Sequence, residues 1–274
     1  MIIKQKYLNP VFIYNHRHHI GVRLLSRLTT TLKQWEQRKE KQYFQNLRHK
    51  YAGRRGFVIG NGPSLNIADL DRLTDEITIA SNKIYLAFEK TVWRPSFLTI
   101  ADDLVWDKVE NDLPKYFRVV HTPNYLNPLI SSCQVHQWNH LGLAKRANSK
   151  ANFSDNISIG AYGGYTVTFE NLQFAVHLGL NPIYIIGCDH NYAGETNVSP
   201  SQKVATAVVS NHFLPNYRSP GEIVYAAPLD VMNEAYQCAC DFGERNGIKI
   251  VNATRGGKLE IFERCDLDTL LAKP

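Results

Sequence analysis

The chain is 274 residues long, 44% hydrophobic and 20% charged, with 17 glycines and 12 prolines, proportions that exclude collagen-like, coiled-coil and wholly disordered chains. No apolar run approaches the ~20 residues needed to span a bilayer, and the opening MIIKQKYLNPVFIYNHRHH lacks the apolar core and cleavage site of a signal peptide. The net charge of +6 is unevenly spread: residues 1–55 hold 13 Lys and Arg against two acids, and residues 56–274 hold 18 against 23.

In chain order the first feature is therefore a basic arm, residues 1–55, on an acidic body. Leu25, Leu28, Leu32 and Trp35 recur at three- and four-residue steps, as do Tyr43, Leu47 and Tyr51, between Arg23, Arg27, Lys33, Arg38, Lys39 and Lys41. That pattern predicts a basic amphipathic helix, suited to an anionic membrane surface rather than to nucleic acid, or to packing on its own domain or a partner subunit. His16, His18 and His19 read as a solvated turn. The five cysteines, Cys133, Cys188, Cys238, Cys240 and Cys265, have no zinc spacing and read as free thiols of a reducing cytoplasm.

From Gly56 short apolar runs alternate with helical stretches. Strands are predicted at Gly56-Phe57-Val58-Ile59, Ile77–Ala80, Phe97–Ile100, Phe117–Val120, Ile183–Ile186 and Ile248–Val251. Helices are predicted at Leu65–Leu73, Ile84–Lys90, Thr166–Leu178 and Leu229–Asn246. The alternation predicts an α/β, Rossmann-like domain over 56–274, its mainly parallel sheet flanked by helices. Residues 190–222 show little periodicity and read as a lid.

Ligands of such sheets sit beyond the carboxyl ends of the strands, and those ends are polar here. Gly60-Asn61-Gly62-Pro63-Ser64-Leu65 follows the first strand and predicts a turn whose free amides face an anion; it is neither a GxGxxG nor a Walker loop. The next two strands end at Ser81-Asn82 and at Asp102-Asp103. The strand Ile183–Ile186 runs into Gly187-Cys188-Asp189-His190-Asn191-Tyr192, and the last strand into Asn252-Ala253-Thr254. In the lid, Asn211-His212-Phe213 and Tyr217 supply a histidine able to act as a base near neutral pH and a hydroxyl able to bond a leaving phosphate.

These motifs, with Ser81-Asn82-Lys83, Ile186-Gly187-Cys188-Asp189-His190 and Gly256-Gly257-Lys258-Leu259-Glu260-Ile261-Phe262, resemble the 6-hydroxymethylpterin diphosphokinase MptE-like family (domain of unknown function 115) over about 56–272. The order of motifs is also similar, more distantly, to the bacterial sialyltransferases of glycosyltransferase family 42. That second resemblance implies a metal-independent, inverting transferase without a cofactor, using a CMP-activated acidic sugar (sialic acid, another nonulosonic acid or Kdo). Carried over, Asn61, Gly62 and Ser64 would bind nucleotide phosphate or ribose, and Asn82 and Asp102 the nucleotide. Gly164, Thr166 and Thr168 would hold the sugar, Asp189, His190 and Tyr192 would stand near the leaving phosphate, and Asn252 and Thr254 near the base. The chain departs from those enzymes at three places. Asp102 replaces an asparagine, Tyr192 lies one position beyond their phosphate-binding tyrosine, and their catalytic histidine falls near Asn216 and Tyr217, a few residues beyond His212.

The expectation is a glycosyltransferase of surface polysaccharide or glycoconjugate synthesis, with His212, Tyr217 and His190 as catalytic residues. It would be cytoplasmic and peripheral to the inner membrane, meeting a glycan or lipid-linked acceptor, with a homo-oligomer left open. The alternatives are a Mg²⁺-dependent diphosphokinase acting on a pterin-like alcohol, with Asp102 and Asp189 as metal ligands, and a non-catalytic membrane-associated assembly protein.

Overall fold

In the computed structural model the described residues are 20–126, 128, 133–147, 150–192, 203–205 and 211–272. The His16–His19 cluster lies outside them, as do 193–202 and 206–210 of the predicted lid.

The chain opens with helix α1 (Ile20–Leu47). A parallel unit follows: β1 (Gly56–Ile59), α2 (Ile67–Asp71), β2 (Ile77–Ser81), β3 (Phe97–Thr99), α3 (Asp103–Val109), α4 (Leu113–Tyr116), β4 (Val119–Pro123) and β5 (Gln134–Trp138). The short strands β6 (His140–Leu143), β7 (Arg146–Ala147), β8 (Lys150–Ala151) and β9 (Ala161–Gly163) lead into α5 (Val167–His177) and β10 (Ile183–Ile186). The chain ends with β11 (Lys203–Ala205), β12 (Ile223–Tyr225), α6 (Leu229–Asn246), β13 (Ile250–Asn252), β14 (Glu263–Arg264) and α7 (Leu267–Leu271).

The main sheet has the order β14-β13-β10-β1-β2-β3-β4-β5, and every neighbouring pair is parallel. Alternate residues of each strand feed opposite faces, as the two-residue period of a strand requires. Val58, Ile79, Ile183 and Ile185 join the core beneath α5 and α6, whereas Phe57, Ile59, Ala80 and Ile186 join the core beneath α2 and α7. Both faces being covered explains why the strands read as continuous apolar runs. From β1 the chain winds outward through β2, β3 and β4, then returns to β10 on the other side of β1. The direction of winding therefore reverses between β1 and β10, and a crevice opens there at the carboxyl ends of the strands.

Several predicted boundaries shift. The helix expected over Leu65–Leu73 is the short α2, because Asn66 caps its start by accepting from the Ala68 N–H. Ile84–Lys90 is a 3₁₀ turn over Ile84–Ala87. The strand expected at Phe117–Val120 runs over Val119–Pro123, and the one at Ile248–Val251 begins at Ile250. The expected lid is not wholly irregular: β11 and β12 form an antiparallel pair, and Phe213 N–H donates to the Asn61 carbonyl at 3.0 Å.

The arm and the body meet at the end of α1. Phe44 is 1% exposed and lies edge-on to Trp138, Phe174 and His177. Tyr43 stacks on His136 with ring centroids 3.4 Å apart, and its hydroxyl bonds His121 Nε2 at 2.9 Å. The Glu40 carboxylate accepts from the Gln137 N–H at 3.0 Å and pairs with His136 Nδ1 at 3.1 Å. One turn earlier the helix is solvent-facing: Trp35 is exposed, with the Lys39 ammonium 3.5 Å from its ring centre. Among the described residues no helix is long and apolar enough to cross a membrane. None of the five cysteines is in a disulfide.

Candidate functional site

A cleft of about 640 Å³ occupies the crevice at the strand ends. Its walls come from the ends of β1, β2, β3 and β10, the start of α5 and the segment 211–227. Of the residues singled out in the sequence, Asn61, Gly62, Asn82, Asp102, Thr166, Thr168, Asp189, His190, Tyr192, His212 and Tyr217 line it. Ser64, Gly164, Asn252 and Thr254 do not line the cleft, and three of them have visible structural duties. Asn252, fully buried, donates to the Leu259 carbonyl and accepts from the Thr254 N–H. Thr254 Oγ1 accepts from the Cys188 N–H at 3.2 Å.

The third is Ser64, and it corrects the expected anion-binding turn. The Gly60 N–H donates to the Ile186 carbonyl and the Gly62 N–H to the Gly187 carbonyl, each at 2.8 Å. Ser64 gives its N–H and its hydroxyl to the same Asp189 oxygen, at 3.2 and 2.8 Å. The protein's own carboxylate thus sits at the turn, and these amides are already spent. Gly62 is required there because a Cβ would collide with that carboxylate and come within 2.8 Å of the Gly187 carbonyl oxygen.

The strand-end side chains are held by local geometry. Asp102 caps α3, accepting from the N–H groups of Leu104 and Val105 at 2.8 and 3.2 Å, and burial raises its pKa. Asn61 donates to the Ser81 carbonyl at 3.1 Å. Asn82 stands in the left-handed region at φ 55°, which asparagine tolerates better than most residues. Thr166 caps α5, and its hydroxyl lies 3.3 Å from that of Tyr236.

The histidines are neutral for a common reason. Burial drives His212 down to about 3, with the Arg218 and Lys83 charges adding to the effect, and its ring stacks on Tyr217 at 4.0 Å. Tyr217 is buried, accepts from the Lys83 N–H at 3.3 Å, and its backbone carbonyl takes the Lys83 ammonium at 3.0 Å. Burial also lowers His190, whose Nε2 pairs with Asn233 Oδ1 at 2.8 Å.

Sequence reasoning missed Glu170, Tyr125, His140, Tyr165 and Arg218 in the cleft wall. Glu170 is 6% exposed, and burial pushes its carboxyl up to about 8. Tyr125 donates its hydroxyl to the Ala101 carbonyl and lies edge-on to His140 at 5.2 Å. Five buried polar atoms of lining residues, Asn61 Oδ1, Asn82 Oδ1, His140 Nδ1, Glu170 Oε2 and His190 Nδ1, have no hydrogen-bond partner among the described residues. Buried polar groups are nearly always satisfied, so their gathering in one cleft makes it the candidate ligand site.

Four carboxyl groups (Asp102, Asp103, Glu170, Asp189) and one guanidinium (Arg218) line the described part of the cleft. Among the described residues no three His, Cys, Asp or Glu side chains come together to hold a metal ion. Asp102 caps α3 through Oδ1, and Asp189 takes the Ser64 hydrogen bonds through Oδ2.

No curated protein and no solved structure matches the chain. The family model of the 6-hydroxymethylpterin diphosphokinase MptE-like proteins matches residues 26–195. That stretch is more than half of the chain and carries α1, the whole β1-to-β5 unit, α5, β10 and the Asp189 turn, and the chain therefore belongs to the 6-hydroxymethylpterin diphosphokinase MptE-like family.

Proposed function

We propose that the protein is a glycosyltransferase whose donor is a CMP-activated acidic sugar. The observation that carries this reading is the set of five polar atoms with no partner among the described residues, in a cleft whose described part is lined by one guanidinium. Such a site recognises hydroxyl and amide groups and can neutralise little negative charge. A nucleoside triphosphate brings about four charges to be balanced by cations and metal. A CMP-activated acidic sugar brings two, one on the phosphodiester and one on the sugar carboxylate, with ribose, base and sugar hydroxyl groups for the unpartnered atoms. Asn61 and Asn82 would accept from the nucleoside, and Arg218 would face the phosphate. Thr166 and Thr168 would hold the sugar, while His212 and His190 would line the path of the acceptor. Electrostatics and positioning would then carry the transfer.

The exposed face of α1 around Trp35 and Lys39 supports reversible docking on an anionic membrane, where a lipid-linked acceptor would be met.

The test is thermal unfolding with CMP, UDP, GDP and ATP, each with Mg²⁺ and with EDTA. Ligand at a hundredfold excess over Kd stabilises by ~2.7 kcal/mol. A CMP shift that survives EDTA is expected. An ATP shift that requires Mg²⁺ would replace this reading with the diphosphokinase, and silence towards every nucleotide would favour a non-catalytic role.

A further inference from the structure

We infer that Glu170, rather than His212, takes the proton from the acceptor hydroxyl during transfer; this rests on the transferase reading above. Glu170 lies in the first turn of α5, directly after the capped start at Thr166, and lines the cleft while being 6% exposed. Its Oε2 has no partner among the described residues, and a substrate hydroxyl that meets the side chain at the cleft wall would supply one.

A carboxylate in the first helical turn is ordinarily favoured by the helix dipole, and burial outweighs that here. The result is a carboxyl poised at about 8, close to working pH, where a general base is most effective. His212, held at about 3 and stacked on Tyr217, is a far weaker base.

In the step proposed, the acceptor oxygen bonds to the anomeric carbon as the carbon–oxygen bond to phosphate breaks. The electron pair of that bond leaves with CMP, and the acceptor proton passes to a Glu170 oxygen, then to water. The position is not announced by any motif. It is the single carboxylate in the stretch Thr166–Leu178, and it sits where the helix begins at the cleft.

The experiment compares the full-length chain with Glu170→Gln, using CMP-N-acetylneuraminic acid as donor probe, free CMP as binding probe and a soluble oligosaccharide acceptor. Donor consumption is followed from pH 6 to 9, beside thermal shift with CMP. Expected for the unaltered protein is a kcat/KM that climbs about tenfold per pH unit and levels near pH 8. Glu170→Gln should keep the CMP shift, lose roughly 100- to 10,000-fold in kcat, and show no such limb. A Glu170→Gln protein with full turnover and the same pH profile overturns the assignment while leaving CMP-sugar use standing. A limb that persists in Glu170→Gln and disappears in His212→Ala also overturns it. Absence of any CMP response or donor consumption in the unaltered protein overturns the transferase reading and this assignment with it.

Discussion

Gly62→Ala tests whether the turn after β1 is closed on Asp189. Gly62 does not occupy the left-handed region, so alanine is not barred by its backbone. At such a position the substitution ordinarily stabilises by ~0.4–1 kcal/mol through the unfolded chain. Space decides otherwise. The added methyl would overlap the Asp189 carboxylate and lie 2.8 Å from the Gly187 carbonyl oxygen, which is itself fixed by the Gly62 N–H. Overpacking of this kind costs ~1–3 kcal/mol. Moving the carboxylate aside also disturbs two hydrogen bonds from Ser64 to a charged acceptor, worth ~1.5–3 kcal/mol each when fully lost. With partial relaxation the net cost is ~2–4 kcal/mol, or ~5–15 °C in Tm for a body of this size. Calorimetry of Gly62→Ala beside Ser64→Ala separates the terms, since the serine variant loses a hydroxyl bond without a clash. Gly62→Ala should be the less stable of the two. An unchanged or raised Tm for Gly62→Ala would refute the closed turn.

Phe44→Ala should cost ~3–5 kcal/mol in thermal unfolding, because Phe44 is 1% exposed in the core; a loss under ~1 kcal/mol would mean that the end of α1 is not part of the folded body. Deleting residues 1–33 together with Trp35→Ala and Lys39→Ala leaves that packing in place, and should abolish binding to phosphatidylglycerol vesicles in co-sedimentation while leaving Tm unchanged; undiminished binding would remove the arm's membrane role. Burial holds His177 at about 4 and His121 at about 3 against an ordinary 6.5. Below pH 6.5 the unfolded chain therefore binds protons that the folded one does not, and stability present above 6.5 is lost as pH falls towards 4. Glu170, raised to about 8, works the other way over this range because the folded chain holds its proton, but His212, lowered to about 3, adds to the two buried rings. Tm should therefore decline from pH 7 to 5, and a profile still flat in Glu170→Gln would show the rings to be solvated.

The sheet was legible because its strands are covered on both faces. Phe57–Ile59 and Ile183–Ile186 present apolar residues to two cores at once, so no polar alternation disguises them. β5 escaped notice for the opposite reason: Gln134, His136 and Gln137 are polar, and their environment is supplied by Glu40, Tyr43 and Thr122, partners remote in sequence. β6 was hidden similarly, being four residues in a two-stranded pair with β9. The site was legible wherever a polar residue follows an apolar strand, as at Asn61, Asn82, Asp102 and Asp189. Tyr125 and His140 follow strands whose ends were not located, and Glu170 lies within a predicted helix rather than at a strand end. Ser64 was misassigned because spacing shows a serine in the turn without showing that Asp189, 125 positions on, takes its hydroxyl.

That last contact also decides where in the crevice a ligand can lie. In dinucleotide-binding folds the pyrophosphate rests on the amides of the first strand–helix turn. Here β10 sends Asp189 across to Ser64 from the β1 side, and the amides of Gly60, Gly62 and Ser64 all have internal acceptors. The turn after β1 is thereby tied to the segment after β10 by the protein's own carboxylate. The unpartnered atoms of Asn61 and Asn82 come from the ends of β1 and β2, that of His190 from the segment after β10, and those of His140 and Glu170 from β6 and the start of α5. A ligand that meets all of them would extend from the ends of β1, β2 and β10 towards β6 and α5. A chain of phosphates stretched over the glycine turn would meet the Asp189 carboxylate and satisfy none of these atoms. The glycine turn, the most conspicuous motif in the sequence, is therefore a clasp that joins the ends of β1 and β10 through Asp189, with the amides of Gly60, Gly62 and Ser64 given to the protein's own acceptors.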